Sequence, residues 1–360
     1  MDDSAERFLG SILAGAVGDA LGAPIEFDGI SKIRERHGQH GVTGYVGYGG
    51  NGDITDDTQM TLFTMEGLIR GNIARRTGNP PVDLFAPIQH AYQRWYHTQG
   101  PDRVWAETGG VFATGQQPDG WLITNRGLFA LRAPGNTVMS ALRSFARGGQ
   151  RGSFTNTLNN SKGCGAVMRA APVALLGDDA FAFAAGTGLL THSHPSGYLS
   201  AGALAHLVHL LLHDVALPDA VVDTRAKLLE WDGHEEQVTV LDKAAELAKT
   251  RPTPEAIEEH LGGGWVGEEA FAIGVCAALA ARDLADGLLL AVNHSGDSDS
   301  TGAICGNILG AIHGPAAIPA EWLDRLELRD VTEQLTRDAL TEFSPTPPTD
   351  AEWRTRYPPT

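Results

Sequence analysis

Two short acidic stretches carry the residues best suited to chemistry. One is Gly52-Asp53-Ile54-Thr55-Asp56-Asp57-Thr58-Gln59, and the other, far downstream, is His294-Ser295-Gly296-Asp297-Ser298-Asp299-Ser300-Thr301-Gly302. Each opens a run of apolar residues at helical spacing, and carboxylate and hydroxyl oxygens are what a hard divalent cation binds. The same residue types are the preferred helix N-caps, and Asp in a first turn complements the helix dipole, so either start alone reads equally well as ordinary capping. Together, Asp56, Asp57, Asp297 and Asp299 bring four carboxylates. Packed into one site they would repel unless a cation neutralised them.

The elements that must position these stretches are helical. Residues 8 to 22 place Gly10, Ala14, Gly18 and Gly22 on one stripe of a helix, and Gly302, Gly306, Gly310 and Gly314 repeat the device near the other end of the chain. Gly in a helix interior costs about 1 kcal/mol relative to Ala. Two registered stripes therefore predict that the first and last core helices approach closely at the centre. Pro24 ends the first helix and leaves Glu26 on a loop beyond it. From Thr55, the apolar positions Leu62, Met65 and Ile69 continue a helical face. Asn79-Pro80-Pro81 breaks the pattern, Leu84 to Tyr96 resumes it, and a further helix covers Thr137 to Ala146.

Asn159 to Arg169 is a polar, glycine-bearing loop running into an apolar segment. Such a loop could turn backbone N–H groups toward a phosphate, but it lacks the spacing of a Walker or dinucleotide motif and by itself reads as a plain connection between helices. Residues 180 to 213 are helical apart from Thr191-His192-Ser193-His194-Pro195, and Leu241 to Ala248 and Glu255 to His260 form shorter helices. Gly262-Gly263-Gly264-Trp265 is a glycine hinge before a long apolar helix to about Leu284. Its Trp265 either covers a flat ligand or plugs the core. With no alternating strand run and no long linker, the expected architecture is one all-α domain over residues 1–343, followed by a Pro-rich, extended or partly disordered tail over 344–360.

The formal charge of −17 argues against a nucleic-acid or anionic-membrane partner, both of which need a basic face. Cys164, Cys276 and Cys305 form neither a disulfide framework nor a zinc knuckle. The apolar stretch after the N-terminus is broken by Asp19, which fits neither a signal peptide nor a membrane span. A cytoplasmic monomer is expected.

GDALGAPIEF (18 to 27), GDITDDTQM (52 to 60), SKGCGAVMRAAP (161 to 172), THSHPSGYLSAG (191 to 202), GGGWVGEEA (262 to 270) and GDSDSTGAICGNILGAIHG (296 to 314) together resemble the ADP-ribosylglycohydrolase family over nearly the whole chain. The resemblance implies a compact orthogonal helical bundle, and a metal-dependent hydrolase that cleaves the glycosidic bond between ADP-ribose and a modified acceptor, a protein side chain or a small conjugate. It implies two divalent cations, Mg²⁺ or Mn²⁺. By position, Thr55, Asp56 and Asp57 would hold the first and Asp297 and Ser300 the second, with Asp299 serving both. Ser300 stands where many relatives have Thr, and Thr301 is an alternative hydroxyl ligand. Glu26 matches a mobile family Glu, and Glu26 and Asp57 are the implied catalytic carboxylates. Gly163, Cys164, Gly165, Ala166 and Val167 match a diphosphate and ribose cradle, although relatives often have Asn where Cys164 stands. His192 matches a substrate-holding His, and Trp265 would lie at the same pocket. The alternatives are a non-catalytic ADP-ribose binder on this fold or a hydrolase of free ADP-ribose conjugates.

Overall fold

In the computed structural model, which describes residues 3–78, 84–100 and 118–359, the helix Asp3–Gly22 lies antiparallel against the helix Ser298–His313. The two glycine stripes meet in register. A Cβ on Gly18 would stand 2.0 Å from the Gly302 carbonyl oxygen, one on Gly306 would stand 2.1 Å from that of Ala14, and one on Gly310 would stand 2.2 Å from that of Gly10. No side chain fits between the backbones at these points. Ser11 Oγ donates to the Asn307 carbonyl at 2.8 Å, and Asn307 Nδ2 returns a bond to the Ser11 carbonyl at 2.9 Å. These two bonds pin the register at one point along the pair. By length and composition Asp3–Ile25 is apolar enough to cross a membrane, and 89% of its most apolar window is buried inside this molecule.

Helices surround the central pair. Asp56–Arg76 packs on Ala86–Thr98, Ala180–Leu189 on Pro195–Leu212, and Gly267–Ala280 lies against both Glu235–Leu247 and Ser298–His313. Among the described residues there is no strand, only isolated bridges such as Gly52 to Leu326 and Gly163 to Val266. The all-α class and the paired glycine stripes are as expected. The expected break at Asn79-Pro80-Pro81 lies outside the described residues.

Two expectations differ from the structure. The helix expected to run to about Leu284 stops at Ala280, because Asp283 caps a separate helix, Leu284–Val292, by accepting the Asp286 N–H at 2.8 Å. The tail is docked rather than extended. Ala351–Arg356 is helical behind an Asp350 cap, buried Tyr357 donates its hydroxyl to Asp338, and Trp353 Nε1 donates to Glu342 at 2.9 Å. Proline content signalled an open chain, whereas these two aromatic residues with polar handles supply both apolar burial and hydrogen bonds.

Candidate metal centre

Asp19 forms the floor of the site. It sits one residue past the Gly18–Gly302 contact and is fully buried. Its carboxylate accepts from Thr55 N at 3.0 and 3.1 Å, Thr55 Oγ1 at 2.8 Å, Thr58 N at 3.1 Å and the Thr58 hydroxyl. Those donors belong to the start of the Asp56–Arg76 helix, where Thr55 is the N-cap. One buried carboxylate therefore fixes the first acidic stretch against the central helix pair.

The second stretch starts the Ser298–His313 helix, with Asp297 as its N-cap. Asp297 N donates to the Gly263 carbonyl at 2.8 Å. Gly296 lies at φ 130°, and a Cβ there would stand 2.0 Å from the Gly263 carbonyl oxygen, so only glycine permits this approach. Ser300 N donates to Asp299 Oδ1 at 2.9 Å. Two helix N-termini thus bring Asp56, Asp57, Asp297 and Asp299 together, and Glu26, just past the turn Ala23–Ile25, joins them. One oxygen each from Glu26, Asp297 and Asp299 lies within 4.8 Å of the others.

Asp19, Asp56, Asp57, Asp297 and Asp299 are buried, and Glu26 keeps 9% exposure. Burial first and neighbouring carboxylates second push the acids of Asp56, Asp57 and Asp297 well above the usual range, Asp19 up to about 7 and Glu26 up to about 10. In all five, Asp299 is the neighbouring charge that acts most strongly. Among the described residues no Lys or Arg forms an ion pair with any of the six. Asp57 Oδ1 is buried with no hydrogen-bond partner. An all-oxygen cluster with this much uncompensated proton affinity, and an open carboxylate oxygen, fits hard divalent cations, whose charge reverses the local preference for protonation.

The structure separates the two candidate hydroxyls. Thr301 Oγ1 lies 2.9 Å from His294 Nε2 and also 2.9 Å from the Ala291 and Asp297 carbonyls, turned into the core. Ser300 Oγ lies beside Cys164 Sγ at 3.8 Å, on the carboxylate side. Thr55 Oγ1 is already bonded to Asp19 and accepts from Asp57 N at 3.3 Å.

The loop expected to cradle phosphates offers less open backbone than its sequence suggested. Gly163 N bonds to Ser161 Oγ, Cys164 N to the Trp265 carbonyl and Val167 N to the Cys164 carbonyl. That leaves the Gly165 N–H, since the short turn Cys164–Ala166 takes up that of Ala166. His192 is buried beneath this turn. Its Nδ1 lies 2.8 Å from Thr191 Oγ1, its Nε2 would stand 3.1 Å from a Cβ on Gly163, and burial, then Arg169, drives its pKa down to about 3. It supports the loop as a neutral ring. Trp265 is 44% exposed and stacks on Phe27 with ring centroids 5.6 Å apart. The Trp265 ring therefore stands at the surface beside Glu26 rather than plugging the core.

Sequence reasoning missed Asp19, treating it only as a break in an apolar stretch. A lone carboxylate directly after a stripe glycine was the available signal. It also passed over Thr58 and Phe27, and Arg169, a buried guanidinium 4.3 Å over the Tyr92 ring whose field reaches Asp56.

Comparison with known proteins points one way. The family model described as ADP-ribosylglycohydrolase matches residues 1–348. An uncharacterized protein of Archaeoglobus fulgidus is 26% identical over 341 residues, covering 92% of this chain and 94% of that protein. The ADP-ribosylarginine hydrolase Tri1 of Serratia proteamaculans is 25% identical over 215 residues, 56% of this chain and 53% of its own length. A solved structure titled ADP-ribosylglycohydrolase-related protein complex superposes with a TM-score of 0.63 at 24% identity, covering 99% of this chain and 100% of that one. That likeness concerns the fold.

Proposed function

Because the chain belongs to the ADP-ribosylglycohydrolase family, we propose that it hydrolyses the glycosidic bond between ADP-ribose and a modified acceptor, using two divalent cations. The observation that carries this reading is the convergence of Glu26, Asp56, Asp57, Asp297 and Asp299 over buried Asp19, with no Lys or Arg paired to them among the described residues. A protein that merely bound ADP-ribose would have no use for so much uncompensated acid. We assign Thr55, Asp56 and Asp57 to one cation, Asp297 and Ser300 to the other, and Asp299 to both. When bound, Mg²⁺ or Mn²⁺ would supply the positive charge that orients ribose hydroxyls and offsets charge as the bond breaks.

The protein's own groups do the rest. Glu26, on the turn after the first helix, would pass a proton to or from the leaving group, and Asp57, with one unpartnered buried oxygen, is the second catalytic carboxylate we assign. The Gly165 N–H, in the short turn Cys164–Ala166, suits a phosphate oxygen. Phe27 and Trp265 are positioned to shield the ribose end from bulk water. The three unpaired thiols suit a reducing compartment.

We take an arginine-linked conjugate as the first acceptor to test. The partial likeness to Tri1 favours it, and the charge of −17 attracts cationic acceptor segments. Incubating the protein with arginine-linked and serine-linked ADP-ribosyl peptides, with Mg²⁺, Mn²⁺ or chelator, tests activity and acceptor together.

A further inference from the structure

Arg169 is a buried guanidinium that donates to Met60 Sδ at 3.4 Å and to Thr191 Oγ1 at 2.7 Å. An arginine only donates, so the Thr191 oxygen accepts from it and the hydroxyl proton must point elsewhere. Two acceptors are in reach. The Gly188 carbonyl lies 3.4 Å from Thr191 Oγ1 and already takes the backbone N–H groups of Thr191, at 3.1 Å, and of His192, at 2.9 Å. His192 Nδ1 is closer, at 2.8 Å. A carbonyl oxygen has two lone pairs, both used here, and the longer contact is the weaker one. The hydroxyl proton therefore goes to Nδ1, which leaves the proton of the neutral ring on Nε2.

The position of Nε2 is built as well. A Cβ on Gly163 would stand 3.1 Å from it, and one on Gly165 would stand 3.4 Å from it and 3.1 Å from Cε1, so the two missing side chains leave this edge of the ring facing the turn. His192 is 1% exposed, and among the described residues Nε2 has no hydrogen-bond partner. A buried N–H without an acceptor is costly unless something other than protein meets it.

We propose that Thr191, held by Arg169, is a positioning residue that fixes His192 as its Nε2–H tautomer, and that this N–H donates to an anionic oxygen of a ligand seated on the Gly163–Gly165 turn. That the oxygen belongs to the diphosphate of ADP-ribose rests on the functional reading above; the tautomer does not. Burial and the Arg169 charge keep the ring neutral, so the donor persists across the physiological pH range. No proton is transferred, and the arrangement acts on binding.

The test is long-range proton–nitrogen NMR of the full-length protein, labelled at histidine with nitrogen-15, near neutral pH with Mg²⁺ present. The His192 signals are identified by their loss in His192→Gln, and ADP-ribose is titrated calorimetrically into the same samples. Wild type is expected to carry the proton on Nε2, with a signal that moves when ADP-ribose is added. Thr191→Val is expected to lose the single tautomer and to bind ADP-ribose roughly 10-fold or more weakly, and Thr191→Ser, which restores the hydroxyl, to recover both. A proton on Nδ1 in wild type, or a Thr191→Val protein that keeps the Nε2–H form, overturns the positioning role. Should Thr191→Val not fold, the wild-type tautomer decides alone. ADP-ribose that binds without moving the Nε2–H signal overturns the ligand contact. No ADP-ribose binding beside an Nε2–H ring contradicts the functional reading and leaves the tautomer standing.

Discussion

The Asp19 carboxylate takes both the N–H and the hydroxyl of Thr55, at 3.0 and 2.8 Å, and so ties the first acidic helix start to the central helix pair. Asp19→Ala would leave buried Thr55 and Thr58 donors without partners. The expected loss is roughly 2–4 kcal/mol of stability, together with most of the cation-dependent gain in Tm. Asp19→Asn should rescue little, because its amide would point donors at donors. Urea unfolding with and without Mn²⁺ checks both, and a wild-type response in either variant would remove Asp19 from its supporting role.

Asp299 is the strongest neighbouring charge on each of the five other carboxylates. Asp299→Asn keeps an acceptor for Ser300 N but removes that repulsion. Stripped of cations, this variant should be more stable than stripped wild type, by about 1 kcal/mol or more. It should also lose the stabilisation that Mg²⁺ or Mn²⁺ gives wild type, about 2.7 kcal/mol at a cation concentration 100 times Kd. Ser300→Ala should keep most of that stabilisation, since a neutral hydroxyl is replaceable by water. Equal loss in the two variants, followed by calorimetry, would contradict the shared-ligand assignment of Asp299.

Gly18 and Gly302 set the distance between the helices that carry Asp19 and Asp299. A Cβ on Gly18 would meet backbone at 2.0 Å, with nothing flexible to move aside. Gly18→Ala should therefore cost about 1–3 kcal/mol or more. Gly44→Ala, where the nearest atom is 3.5 Å away, should stay within about 0.5 kcal/mol. Thermal unfolding of both variants compares them, and equal stabilities would mean that the helices can separate at no cost.

Much of this was legible in the chain. The stripes Gly10 to Gly22 and Gly302 to Gly314 announced the central contact because a repeated helix-interior glycine has few uses other than close approach. Thr55-Asp56-Asp57 and Asp297 to Ser300 announced a site because their carboxylates need a shared reason to be buried. Asp19 was not legible, because its role depends on Thr55 and Thr58 arriving from another helix. The Gly163 to Val167 turn was legible only as a loop. Sequence shows that a loop has N–H groups, but not that Ser161 and Trp265 have already taken two of them. Nor could Cys164 be assigned to the acidic site by type alone, since an isolated buried cysteine usually behaves as a small apolar residue.

Glu26 should separate binding from turnover. It stands within 4.8 Å of Asp297 and Asp299 oxygens, just past the turn Ala23–Ile25. Glu26→Gln keeps its shape and removes its charge. ADP-ribose affinity, read by calorimetric titration, should change little, while hydrolysis falls by about 10²-fold or more. Unchanged hydrolysis would show that Glu26 moves no proton, and lost ADP-ribose affinity would make it a binding group.

The proposed function makes these converging carboxylates the centre of a cation-dependent ADP-ribosyl hydrolase. The most direct measurement is release of ADP-ribose from an arginine-linked ADP-ribosyl peptide by wild type and Asp299→Asn, each with Mg²⁺, with Mn²⁺ and with chelator. Release is expected from wild type only when a divalent cation is present, and none from Asp299→Asn under any condition. Release that persists undiminished in chelator, or that survives Asp299→Asn at the wild-type rate, would contradict it.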